Sequence, residues 1–240
     1  GNEVSIIFQD PMTSLNPVLT VEDQIQEVLQ FHNHNGLCRA EMGKKVEEML
    51  ELVGIPAARK TCYPHEFSGG MKQRVVIAMA LACNPRLLIA DEPTTALDVT
   101  IQAQIMELIL ELKEELGMSV LLITHDMGLV AQMADRVLVM YAGQMIEQAP
   151  VLELFDHPAH PYTKALLRSV PGIMDRRDRV LESIEGMVPE QYDMITGCRF
   201  ADRCPYRRDI CGRPQTDRMI RHSHLVRCCR AGEVESDAGK

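Results

Sequence analysis

At 240 residues the chain forms one large domain or two small ones, and its 46% hydrophobic content, with 4% aromatics and no Trp, gives a core resting on Leu, Ile, Val and Met. The net charge of −9 argues against nonspecific nucleic-acid binding by the whole chain. No apolar run reaches the roughly 18–20 residues that span a bilayer, and no cleavable signal is visible at the start, so a soluble, intracellular chain is expected.

Residues Glu3 to Asp10 read as a strand that begins almost at residue 1. A chain rarely starts inside a core strand, so the expectation is that an N-terminal portion is missing. Pro11, Asn16 and Pro17 make the next stretch a loop. Thr20 and Asp23 have capping-box spacing, and Ile25, Val28 and Leu29 give the following helix an apolar face. Gly36 to Arg39 breaks it. Val46, Met49, Leu50 and Val53 then line one face of a second helix, which Gly54 and Pro56 end. The pair reads as a helical insertion in an α/β pattern.

Next comes His65-Glu66-Phe67-Ser68-Gly69-Gly70-Met71-Lys72-Gln73-Arg74. Ser68 suits an N-cap, and Gly69 and Gly70 let backbone amides come close to a ligand. The positive end of the helix that follows, to about Cys83, faces an anion such as a phosphate. Alone, the stretch is equally an ordinary glycine turn.

Arg86 to Ala90 is a short apolar run that ends in Asp91 and Glu92, the pattern of a strand buried in a parallel sheet. Ligands in such sheets sit beyond the carboxyl ends of strands. One carboxylate there can hold a divalent metal and its neighbour can polarise a water, the equipment of a nucleotide hydrolase. Thr94 to Asp98 is a loop. Thr100 to Leu116 is an amphipathic helix stopped by Gly117. Val120 to Ile123 reads as another buried strand, ending at Thr124-His125-Asp126. A helix from Met127 to Ala134, a strand from Val137 to Tyr141 and a turn at Gly143 into Gln144–Glu147 complete the alternation. Strands alternating with helices give a mostly parallel sheet.

Four signals thus stand in order: Phe8-Gln9-Asp10-Pro11; Phe67-Ser68-Gly69-Gly70-Met71-Lys72-Gln73-Arg74; Leu88-Ile89-Ala90-Asp91-Glu92-Pro93 with Ala96-Leu97-Asp98; and Thr124-His125-Asp126. Together they resemble the Q-loop, signature, Walker B with D-loop, and H-loop of ABC transporter ATPases. The resemblance implies an α/β, P-loop NTPase-like ABC ATPase core over residues 1–150, with a helical subdomain over about 18–83. It implies ATP and Mg²⁺ as ligands. By it, Glu92 is the general base and His125 contacts the γ-phosphate. Asp91 orders Mg²⁺, and Gln9 couples the site to membrane subunits. Ser68, Gly69 and Gly70 donate to a γ-phosphate held by a second ATPase subunit, and Asp98 lies at that interface. No Gly-x-x-x-x-Gly-Lys-Ser/Thr occurs in the chain, so this phosphate-cradling loop of the family is absent from the 240 residues. The expected core is therefore incomplete at its N-terminus, and the chain alone is expected not to turn over ATP.

Residues 151–240 are set apart by composition. Cys198 to Arg230 holds nine Arg against three Asp, a net +6, and five of the eight cysteines. His157-Pro158-Ala159-His160-Pro161-Tyr162-Thr163-Lys164-Ala165-Leu166-Leu167 resembles the extension of ATPases in the dipeptide/oligopeptide importer group, with both histidines read as turn residues. Cys198, Cys204, Cys211 and Cys228 have no C-x₂₋₄-C pair, which argues against zinc, and intracellular thiols do not serve as disulfides. Four thiolates at longer spacing suit a [4Fe–4S] cluster, and the same importer group carries this pattern. Zinc with help from His224, or unligated thiols, are the alternatives. Cys229 is the spare; Cys38, Cys62 and Cys83 read as small buried residues.

The leading expectation is the energy-coupling ATPase of a di/oligopeptide importer, on the cytoplasmic face of the membrane, working with a second ATPase subunit and with transmembrane permease subunits and binding no nucleic acid. Repair or translation factors of the same superfamily would carry basic surfaces or tandem cores. A third reading is a non-catalytic subunit that lends Ser68-Gly69-Gly70 to a partner and binds a metal cluster.

Overall fold

A computed structural model describes residues 1–9, 14–32, 36–95, 97–169, 183–231 and 233. Asp10, Pro11 and Ala96 of the sequence motifs lie outside these. The chain divides into two compact units, Gly1–His125 and Asp126–Lys240.

In the first unit, β1 (Val4–Ile7), β2 (Leu87–Asp91) and β3 (Ser119–Ile123) form a parallel sheet in the order β1-β2-β3. Ile7 pairs with Ala90 and Asp91 with Ile123, so the three carboxyl ends finish level. Side chains alternate across a strand. One face buries Ser5, Ile7, Leu88 and Ala90. On the other face Ile6 (46%), Leu121 (47%) and Ile123 (46%) remain exposed. This corrects the expectation that Val120–Ile123 is buried: among the described residues, helices cover one face of the sheet.

Four helices serve this sheet: α1 (Val21–Phe31), α2 (Arg39–Leu52), α3 (Gly69–Leu81) and α4 (Val99–Glu115). Thr20 and Asp23 form the reciprocal capping box their spacing predicts. The apolar stripes of α1 and α2 bury Val21, Ile25, Val46 and Leu50 completely, and α3 adds Val75, Ile77 and Leu81. Gly117 ends α4 at φ +62, a conformation that costs glycine little.

The second unit holds α5 (Met127–Met133), β4 (Arg136–Tyr141), β5 (Gln144–Pro150), α6 (Val151–Asp156), α7 (Pro161–Arg168), β6 (Arg218–Arg221) and β7 (His224–Val226). Its sheet is antiparallel in the order β4-β5-β7-β6, where the alternation had predicted a continuing parallel sheet. The turn decides the hand. Ala142 (φ +46) and Gly143 (φ +74) make a tight two-residue hairpin that pairs Tyr141 with Gln144. The cysteine-rich segment adds two strands to this hairpin and one large anchor. Phe200 is 1% exposed, and its ring lies 5.2 Å from that of Tyr141 and 5.4 Å from that of Tyr162. Such contacts stabilise beyond their buried area.

Candidate functional site

Glu92 follows the last residue of β2. Its amide donates to Ile123 O at 2.9 Å, extending the β2–β3 pairing by one rung. Its φ is +43, in the left-handed region that β-carbon sterics disfavour. A residue held there marks a site where the surroundings impose the conformation.

The surroundings are three side chains from three segments. Gln9, beyond β1, donates from Nε2 to Glu92 Oε2 at 2.8 Å. Thr95 donates from its hydroxyl to the same oxygen at 3.0 Å. His125, beyond β3, holds Oε1 through Nδ1 at 2.9 Å. An ionised carboxylate only accepts, so the imidazole carries its proton on Nδ1. The hydrogen bonds from His125, Thr95 and Gln9, in that order of weight, hold the Glu92 carboxyl below its ordinary range. Three contacts leave roughly one of the carboxylate's four acceptor positions, on Oε1, for a water. Asp91, half-buried, is the adjacent carboxylate at the end of β2.

The other candidates form a second group. Ser68 caps α3, its Oγ accepting the Met71 amide at 3.4 Å. Asp98 caps α4, its Oδ1 accepting the Ile101 amide at 3.0 Å. The two helix starts touch: a Cβ on Gly70 would stand 2.6 Å from Ile101 Cγ2, and one on Gly69 would stand 3.4 Å from Leu97 Cδ2. Gly70 is thus required by packing, whatever else its amide does. Residues 92–98 link this group to Glu92. Sequence reading missed Thr95, whose only signal was its place three residues after Glu92.

In the second unit Cys198, Cys204, Cys211, Cys228 and Cys229 line one cavity with His160 and Arg230. Cys211 and Cys228 are buried and the other three are half-buried. Burial pushes the thiols of Cys198, Cys228 and Cys229 up to about 11. The expected ligand set is not closed: among the described residues no three His, Cys, Asp or Glu side chains are arranged to hold one metal ion. Cys229, read as the spare, places its sulfur 3.9 Å from that of Cys211. His224 is also corrected. It is fully buried, with Nε2 at 2.8 Å from Glu147 Oε1 and Nδ1 at 3.4 Å from Glu153 Oε1, so both nitrogens are committed to carboxylates.

Residues 1–95 match the family described as ABC transporter, and residues 146–211 match that described as oligopeptide/dipeptide transporter, C-terminal region. The dipeptide transport ATP-binding protein DppD of Haemophilus influenzae is 54% identical over 232 residues, 95% of this chain and 69% of that one. The oligopeptide transport ATP-binding protein AppD of Bacillus subtilis is 53% identical over 231 residues, 95% of this chain and 70% of that one. Among solved structures, the dimeric post-hydrolysis ATP-binding cassette MJ0796, bound to ADP and Pi, superposes with a TM-score of 0.55 at 31% identity, covering 62% of this chain and 63% of that one. CbiO1 of Clostridium perfringens, part of the transporter complex cbiONQ, gives 0.57 at 34% identity, covering 64% and 59%.

Proposed function

Because the chain belongs to the ATP-binding subunits of oligopeptide and dipeptide ABC transporters, we propose that it binds and hydrolyses ATP to drive peptide import through a membrane complex. The observation that carries this is the meeting of Gln9, Glu92 and His125 at the level ends of β1, β2 and β3. Glu92 takes the proton of the attacking water through its remaining acceptor position. His125 orients the carboxylate and presents its Nε2 side to the phosphate. Gln9 reports the state of the site to the permease. Asp91 fits Mg²⁺, a hard cation that prefers carboxylate and water oxygens and that, when bound, neutralises charge on the transferred phosphoryl group.

The site is shared between two ATPase subunits. Ser68, Gly69 and Gly70 open α3, whose exposed amides and dipole suit the γ-phosphate of ATP held by the partner. Asp98 starts the neighbouring helix at the same edge. The complex sits on the cytoplasmic face of the membrane, with transmembrane permease subunits; among the described residues no helix is long and apolar enough to cross a bilayer. In vesicles carrying the assembled transporter, ATP-driven uptake of a labelled tripeptide is expected to vanish in Glu92→Gln while ATP binding persists. Uptake equal to wild type contradicts hydrolysis at Glu92.

The cysteine cavity is read as a metal site of thiolates. Support comes from five sulfurs at one cavity and from Arg230, whose charge offsets that of the thiolates. A [4Fe–4S] group spreads its ligands over several irons, which suits four thiolates at long sequence spacing. The cluster is the reading taken from the thiol count and spacing, with zinc as the alternative.

A further inference from the structure

Two of the five thiols at the cavity touch. Cys211 Sγ and Cys229 Sγ lie 3.9 Å apart, and both thiols are free. Each is carried by a fixed stretch of backbone. The Cys211 carbonyl accepts the Cys198 amide at 2.9 Å, and the Cys211 amide donates to Arg208 O at 2.9 Å. Gly197 packs against that carbonyl: a Cβ there would stand 2.5 Å from Cys211 O, so the approach requires glycine. Cys229 lies just beyond β7. The Arg227 amide donates to Ile146 O at 2.7 Å, which carries the β5–β7 pairing on toward it. Arg230, the next residue, donates to Glu233 Oε2 at 2.7 Å and to Tyr206 O.

The two thiols differ in access. Cys211 is 6% exposed, whereas Cys229 is half-buried, so an oxidant in solution reaches Cys229 first. A second thiol already in contact is at high effective concentration, so it displaces faster than another molecule from solution can. Structural disulfides are rare inside cells, and those that form there are mostly transient and redox-sensing.

We propose that Cys211 and Cys229 form a reversible disulfide, with a low-molecular-weight disulfide such as oxidised glutathione as the oxidant. The Cys229 thiolate attacks the S–S bond of the oxidant. A new bond joins Cys229 to one half, and the other half leaves as a thiolate. The Cys211 thiolate then attacks the Cys229 sulfur and expels the second half. Two cysteine thiols are oxidised, the oxidant is reduced to two thiols, and these carry away the two cysteine protons. Burial holds the Cys229 thiol at about 11, so little of it is thiolate near neutral pH and the exchange is slow. The bond goes beyond the function proposed above and requires no metal. It uses Cys211, one of the thiols read as cluster ligands, so the disulfide and a bound metal exclude each other.

The test takes the 240-residue chain as wild type, Cys229→Ser and Cys204→Ser. Each is reduced in the presence of a chelator, incubated to completion with oxidised glutathione, alkylated, and digested without reductant for mass spectrometry. Wild type is expected to lose the mass of two hydrogen atoms and to yield a peptide pair joining Cys211 to Cys229, which a dithiol reductant separates. Cys204→Ser is expected to form the same pair, and Cys229→Ser to form no link to Cys211. A wild-type chain without the link, or with its main link between other cysteines, overturns the proposal. So does a Cys229→Ser chain that closes as readily through Cys228.

Discussion

Glu92 accepts from Gln9, Thr95 and His125, groups that lie on three separate loops of the chain. These bonds favour its charged form and hold its pKa below the ordinary 4.5. The sign follows. The hydrogen-bonded carboxylate contributes stability above pH 4.5, and that contribution is lost as pH falls through the lower folded value. Glu92, the proposed base, also stays ionised further into acid than a free carboxyl. Thr95→Val removes one donor at nearly constant volume, so the acid limb of the hydrolysis profile is expected to move to higher pH. A limb that stays in place would show that the Thr95 contact is irrelevant to the base. The cavity thiols give the opposite sign. Burial keeps the protons on Cys198 and Cys228 up to about 11, whereas unfolded thiols release theirs near 9.0. Stability is therefore full below pH 9 and falls as pH rises toward 11. Urea midpoints under reducing conditions read this window, and Cys228→Ser is expected to flatten the decline.

At the scale of elements, α3 and α4 meet through glycine. Gly70→Ala places a methyl group 2.6 Å from Ile101 Cγ2 and is expected to cost about 1–3 kcal/mol of stability, recovered in part by Ile101→Ala. Gly69→Ala faces Leu97 at 3.4 Å, an ordinary contact after a slight shift, so a loss of ATPase activity there at unchanged stability would belong to the phosphate contact. Helices were the most legible part of the sequence. Thr20 and Asp23, Ser68, and Gly117 mark their ends with local chemistry, and each acts where its residue type predicts. The strands were legible as strands but not in their partners. Nothing local in Gln144–Pro150 says that it pairs with both Arg136–Tyr141 and His224–Val226, because that choice is made by the hairpin turn at 142–143 and by burial of distant residues.

At the scale of the whole molecule, the loops of Gln9, Glu92 and His125 were readable because each follows a strand, and strand ends share one edge of a parallel sheet. The buried scaffold of the second unit was not readable. Glu147 looks like one acid at the end of an apolar strand, and His224 looks like a loop histidine. Their contact joins residues 77 apart in sequence, with the 157–160 turn between them. Glu147→Ala leaves His224 and two amides without their carboxylate. It is expected to cost about 3–5 kcal/mol, read as a lower urea midpoint for the second unit.

The account turns on one water held by Glu92 at the ends of three strands. Phosphate release in a single turnover by the assembled transporter, measured with ATP bound to saturation, tests it most directly. Glu92→Gln keeps the shape of the site but removes the base, and a loss of about 10²–10⁴-fold with nucleotide binding intact is predicted. A release rate within threefold of wild type would mean that the proton leaves by another route.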